Sequence, residues 1–123
     1  MTASNLRPFV PSGEDFELAK RFFAAIGFET EFDTGDVVGL RLGDAQFLLQ
    51  RFCNRELQDN FMVAFDVPDV DDWWRKLESS GALDLPGVRA KPPTDYPWGR
   101  REIHLIDPAG VLWHIGTRTS PRS

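Results

Sequence analysis

The sequence predicts an α+β fold in one domain spanning residues 1–123, made of two tandem modules that share a cleft. Three observations predict it. The order strand, amphipathic helix, strand hairpin runs through the chain twice. Each helix is entered through a proline-bearing junction, and each hairpin turns on glycine or on an Asp-Pro-x-Gly motif. A unit that cannot bury its apolar face alone buries it against its copy, so a ligand site is expected in the shared cleft.

The elements follow in chain order. Phe9-Val10-Pro11 is a short apolar strand, and the proline, which cannot extend a ladder, ends it where the first helix begins. The helix is predicted from Asp15 to Ile26, with Phe16, Ala19, Phe23 and Ile26 at helical spacing and Leu18 and Phe22 widening the stripe. Ser12 with Asp15 has the form of a capping box, and Gly27 supplies a left-handed stop. Val37 to Leu42 and Gln46 to Phe52 are strands joined at Gly43-Asp44. The second pass starts with a strand from Phe61 to Val67, before Pro68. A helix follows from the Asp69 cap to Ser79, with Val70, Trp73, Trp74 and Leu77 at i, i+3, i+4 and i+7 and Gly81 beyond its end. That spacing makes Trp73 and Trp74 core or interface aromatics. Leu83 to Pro97, rich in proline and glycine, reads as a long irregular loop. Arg101 to Ile106 and Val111 to Gly116 are strands joined by Asp107-Pro108-Ala109-Gly110, which has the residue preferences of a type I turn. The modules are expected over about 6–55 and 60–117, with a frayed tail over 118–123.

Composition narrows the function classes. With 14 basic against 19 acidic residues, a net charge of −5 leaves no basic surplus to neutralise phosphates, which argues against nucleic-acid binding. The apolar runs are short and interrupted by charge, so no bilayer-spanning segment and no membrane partner are expected. The opening Met-Thr-Ala-Ser-Asn lacks the features of a signal peptide, and the single Cys53 fits a reducing compartment, so a cytoplasmic location is expected. No Gly-x-Ser-x-Gly elbow or glycine-rich phosphate loop occurs. Acids such as Asp66, Asp69, Asp71 and Asp72 gather at the start of the second helix, where its dipole favours them.

Several segments together carry a family resemblance. Phe9-Val10-Pro11-Ser12, Phe22-Phe23-Ala24-Ala25-Ile26-Gly27-Phe28, Tyr96-Pro97-Trp98-Gly99-Arg100 and Asp107-Pro108-Ala109-Gly110-Val111-Leu112-Trp113-His114 are set in a duplicated strand–helix–hairpin frame. With that frame, the chain resembles the vicinal oxygen chelate superfamily of glyoxalases, bleomycin-resistance proteins and dioxygenases, most closely its bleomycin-resistance branch. The resemblance covers about residues 6 to 117 and implies two βαβββ modules around the cleft. It also implies a homodimer, with the first strand open to exchange between subunits; Pro8 and Pro11 are compatible with such a swap.

The resemblance implies a test for metal. Metal-dependent members place one ligand on the first strand and one on the last strand of each module, usually drawn from His, Gln and Glu. The matching positions here are Gln50, His114 and Met62, with Pro8 or Arg7 in the first strand. Met62 is a poor ligand for hard or borderline ions and Pro8 offers no side-chain donor, so no metal cofactor is expected at these positions. A displaced set remains open: Glu102 and His104 share a strand face and, with His114 and Gln50, would make an unusual divalent-ion site. The plainer reading has His114 as a structural histidine, Gln50 at the rim of the core, Met62 lining a cavity, and Glu102 and His104 facing solvent.

For ligand binding, Trp98 beside Gly99 is the leading candidate, because a rigid indole next to a glycine lets a planar molecule stack close to the backbone. In the bleomycin-resistance branch the matching tryptophan lies in the drug groove. Tyr96, Arg100, Gln50, Met62 and His114 complete the expected ligand-binding set, with no catalytic residue assigned. The expected function is metal-independent binding of a small planar molecule, an antibiotic among the candidates. The alternatives are a metal-dependent lyase, isomerase or dioxygenase, and a dimeric interaction protein with a filled cleft.

Overall fold

Two four-stranded sheets, each with its own helix, form the scaffold, and the computed structural model describes residues 1–119. The first module contains β1 (Phe9–Pro11), α1 (Phe16–Ala25), β2 (Glu29–Asp33), β3 (Val37–Leu42) and β4 (Ala45–Gln50). A short helix, α2 (Arg55–Asn60), leads to β5 (Met62–Asp66), α3 (Val70–Ser79), β6 (Arg89–Tyr96), β7 (Arg100–Ile106) and β8 (Leu112–Arg118). The sheet orders are β1-β4-β3-β2 and β5-β8-β7-β6, so each module is βαβββ and each first strand lies parallel to its module's last.

Local chemistry fixes the helices. Asp15 caps α1 by accepting from Leu18 N at 3.0 Å, and Asp69 caps α3 by accepting from Asp71 N and Asp72 N, both at 3.1 Å. Ser12 is not part of a capping box. It is buried at the junction, where its Oγ donates to Gly13 O and accepts from Phe52 N. Gly27 and Gly43 hold the positive φ values, 109° and 59°, that their turns require.

The core lies between the modules. Phe22, Phe23, Phe28 and Phe47 from the first meet Phe65 and Trp113 from the second, and Phe23 sits 5.4 Å from Trp113 and 4.9 Å from Phe47 between ring centroids. Trp73 and Trp74 are half-buried against this cluster, and Trp73 packs edge-on to Phe65. Asp107 anchors the β7–β8 turn. Its Oδ1 accepts from Ala109 N and Val111 N, its Oδ2 accepts from Trp113 Nε1 at 3.0 Å, and Gly110 N closes the turn on its carbonyl. Burial pushes the Asp107 carboxyl up to about 6 against those donors.

Three elements differ from the sequence reading. The stretch expected to be an irregular loop contains β6, an edge strand whose Pro92-Pro93 sits at a register shift between Lys91 and Thr94. An edge strand leaves one row of backbone groups unpaired, and a bulge there accommodates prolines that a central strand would reject. β2 escaped because Glu29–Asp33 is exposed throughout and shows no apolar alternation. The polar α2 rests on an Asn54 cap and on buried Gln58, whose Nε2 donates to Ala109 O. At the C-terminus, Arg118 is in β8 rather than frayed, and Thr119 N donates to Gly99 O. The remainder of the expected tail, 120–123, lies outside the described residues.

Candidate ligand-binding face

Strand alternation gives the second sheet one apolar and one polar face. Ile103, Leu105, Trp113 and Ile115 turn inward and are buried. Arg100, Glu102 and His104 of β7 turn the other way. The register sets His104 beside His114, Glu102 beside Gly116 and Thr94, and Tyr96 beside Arg100. Ala64 and Asp66 of β5 complete these rows.

Glu102 is the hub of this face. It is buried at 3% exposure, which departs from the expectation that it faces solvent. Its Oε2 accepts from Arg100 Nε at 2.7 Å, and its Oε1 meets His104 Nε2 at 3.1 Å and His114 Nδ1 at 3.2 Å. Desolvation pushes its carboxyl up, but Arg100, His104 and His114 outweigh that and hold it down at about 2. An ionised carboxylate only accepts, so both facing ring nitrogens carry hydrogens in this network. Arg100 also pairs with Asp66 at 2.7 Å, while its Nη2 is buried with no partner among the described residues. Glycine at 116 makes the arrangement possible: a Cβ there would lie 2.8 Å from Glu102 Cγ and 2.9 Å from Arg100 Nη2.

An aromatic ladder rises from this hub. The His104 ring stacks on Tyr96 at 4.9 Å and 13°, and Tyr96 stacks on Trp98 at 4.5 Å and 12°. Trp98 stands at the β6–β7 turn, where Gly99 takes φ of 80° and donates to Tyr96 O. Trp98 is 58% exposed, so the ladder ends in an indole open to solvent. Lys91 Nζ lies 5.4 Å from the Tyr96 ring centroid.

The structure thus gathers Tyr96, Trp98, Gly99, Arg100 and His114 on one module, together with His104 and Glu102. It does not bring Gln50 to them. Gln50 is half-buried on β4 of the other sheet, in register with Pro11 and Val37. Met62 is at the start of β5, beside Leu112, and is 64% exposed instead of lining a cavity. A groove of about 310 Å³ does run between the modules, lined by Pro8, Phe28, Phe47, Phe65 and Trp113, but none of the expected site residues lines it. The donor set at the metal positions implied by the family resemblance does not fit a hard or borderline divalent ion: Met62 offers a thioether, Gln50 a neutral amide on the other sheet, and Pro8 no side-chain donor, which leaves His114 alone. Asp66 and Lys91 escaped sequence reading. Asp66 was read with the helix-start acids, and the Lys91 row became legible only with the β6 register shift.

Comparison with known proteins agrees with this architecture. The family model described as the glyoxalase/bleomycin resistance protein/dioxygenase superfamily matches residues 10–115. A bleomycin-binding protein solved with bleomycin superposes with a TM-score of 0.80 at 22% identity, covering 94% of this chain and 99% of that one. A bleomycin resistance determinant encoded on the transposon Tn5 gives 0.80 at 22% identity, covering 96% and 100%. The lactoylglutathione lyase of Agrobacterium tumefaciens gives 0.65 at 19% identity, covering 94% of each chain. No curated protein sequence matches the chain. At these identities the likeness establishes the fold, which binding proteins and enzymes share.

Proposed function

Since the chain belongs to the glyoxalase/bleomycin resistance protein/dioxygenase superfamily, we propose that it binds a small planar molecule on the outward face of its second sheet, as a sequestering protein. The observation that carries this reading is the Trp98–Tyr96–His104 ladder ending in an exposed indole. Tyr96, packed against both neighbours, fixes the angle of Trp98 before any ligand arrives, which lowers the ordering cost of binding. A planar ligand stacks on the indole, while Lys91 and the Arg100–Asp66 pair supply polar contacts at its edges. Affinity of this kind needs no bond to be made or broken.

The bleomycin-binding neighbours make bleomycin and other planar antibiotics the first ligands to try. Self-association belongs to the same proposal: Phe9, Phe32 and Met62 stand exposed, apolar surface that a second copy would cover. The test is tryptophan fluorescence during titration with bleomycin and a panel of planar aromatic compounds. Saturable quenching that disappears in Trp98→Ala, with the circular dichroism spectrum unchanged, is the expected result. Quenching that persists unaltered in Trp98→Ala would place the ligand elsewhere.

A further inference from the structure

We propose that Glu102, His104 and His114 form a site for one divalent first-row transition-metal ion of the zinc class. This site shares only His114 with the first- and last-strand positions that the family resemblance implies; its other two ligands, Glu102 and His104, stand on β7. It stands whether or not a planar molecule binds to Trp98.

Topology brings the three residues together. His104 and His114 are direct cross-strand partners on β7 and β8, and Glu102 is two residues from His104 on the same face. Their donor atoms all lie within 4.8 Å of one another. The two carboxylate–imidazole separations are 3.1 and 3.2 Å. Ligands held at about 2.0–2.1 Å sit roughly 2.9 Å apart around an octahedral ion and roughly 3.3 Å apart around a tetrahedral one. Both carboxylate–imidazole spacings fall between these values, and side-chain rotation that brings the two imidazole nitrogens, now within 4.8 Å, to a similar separation seats an ion.

Charge and orientation favour the same occupant. Asp66 offsets Arg100 at 2.7 Å, so the Glu102 carboxylate remains as net negative charge facing two imidazoles. Two nitrogen donors with one carboxylate suit zinc, cobalt(II), nickel(II) or ferrous iron better than magnesium or calcium. Tyr96 Oη lies 3.4 Å from His104 Nδ1, where it can accept a hydrogen from the ring nitrogen that does not hold the ion. The histidine side chains are 21% and 23% exposed, which leaves the remaining coordination positions open to water or a ligand.

Binding requires a tautomer exchange. The hydrogens now facing Glu102 move to His104 Nδ1, towards Tyr96, and to His114 Nε2, freeing one lone pair on each ring. The ion replaces two hydrogen bonds with three coordinate bonds.

The experiment uses metal-free protein with Cys53→Ser, which removes an exposed thiol able to compete for the ion. Zinc chloride is titrated calorimetrically, cobalt(II) is followed by its visible absorption, and histidine ¹⁵N shifts are recorded with and without zinc. The expected results are one ion per chain and lone-pair coordination at His104 Nε2 and His114 Nδ1. His104→Ala and His114→Ala should each weaken binding at least about tenfold, while Gln50→Ala and Met62→Leu leave it unchanged. Each histidine variant is checked for an intact fold by circular dichroism, and because both side chains reach the sheet surface, the result does not depend on Glu102→Gln remaining folded. Absence of zinc and cobalt binding, or binding that survives both histidine substitutions, would overturn the proposal.

Discussion

Replacing Phe23 with alanine tests whether the two modules are one cooperative unit. Phe23 is 1% exposed, and its ring lies 5.0 Å from Phe22, 5.8 Å from Phe28, 4.9 Å from Phe47 and 5.4 Å from Trp113. Burying roughly 150 Å² of aromatic surface at ~25 cal/mol per Å² contributes about 4 kcal/mol. Measured Phe→Ala costs run ~3–5 kcal/mol, and loss of four edge-to-face or tilted contacts places this one towards the upper end. For a chain of this size, ~4 kcal/mol corresponds to a fall in Tm of roughly 15–20 °C. The assay is urea unfolding followed by far-ultraviolet circular dichroism and by tryptophan fluorescence, because Trp113 reports on the second sheet while Phe23 belongs to the first module. Coincident curves shifted together are expected. A loss below ~1.5 kcal/mol, or a shift in one probe alone, would refute the shared core.

Two further outcomes follow from individual groups. Phe32 lies against Gly39 on the first sheet and is 40% exposed, so Phe32→Ala should cost under about 1 kcal/mol in the same urea assay, separating surface from core aromatics. The buried Asp107 carboxyl should titrate with a midpoint near 6 in its ¹³C shift, because burial raises it from the ordinary value of 3.8. Its folded value lies above its unfolded one, so this group's contribution is fully present below the unfolded value and is lost as pH rises through about 6. A midpoint at or below 3.8 would show that its N–H donors, not desolvation, control it.

What the sequence revealed and what it concealed have physical causes. Phe16, Ala19, Phe22 and Phe23 repeat at helical spacing because α1 buries one stripe, and Val70, Trp73, Trp74 and Leu77 do the same for α3 behind its Asp69 cap. Those elements were legible because one face is dry. Glu29–Asp33 was invisible because an edge strand with both faces wet needs no alternation, and Pro92-Pro93 disguised β6 for a related reason. The Tyr96–Arg100 segment and His114 were readable as candidates. Their meeting with Glu102 was not, because it depends on the β7–β8 register and on the space left at Gly116. Gln50 and Met62 were matched by position in a repeat; Gln50 lies on the other sheet, and Met62, on the same sheet as His114, stands at the exposed start of β5.

Chemical-shift mapping during titration with bleomycin and the planar panel tests the binding face most directly. The largest changes are expected on Trp98 Nε1–H, the Gly99 and Arg100 amides and the His104 and His114 rings, while Gln50 and the buried Trp113 Nε1–H stay unmoved. Changes concentrated on the inter-module groove around Phe28, Phe47 and Phe65, or no change with any compound at saturating concentration, would contradict it.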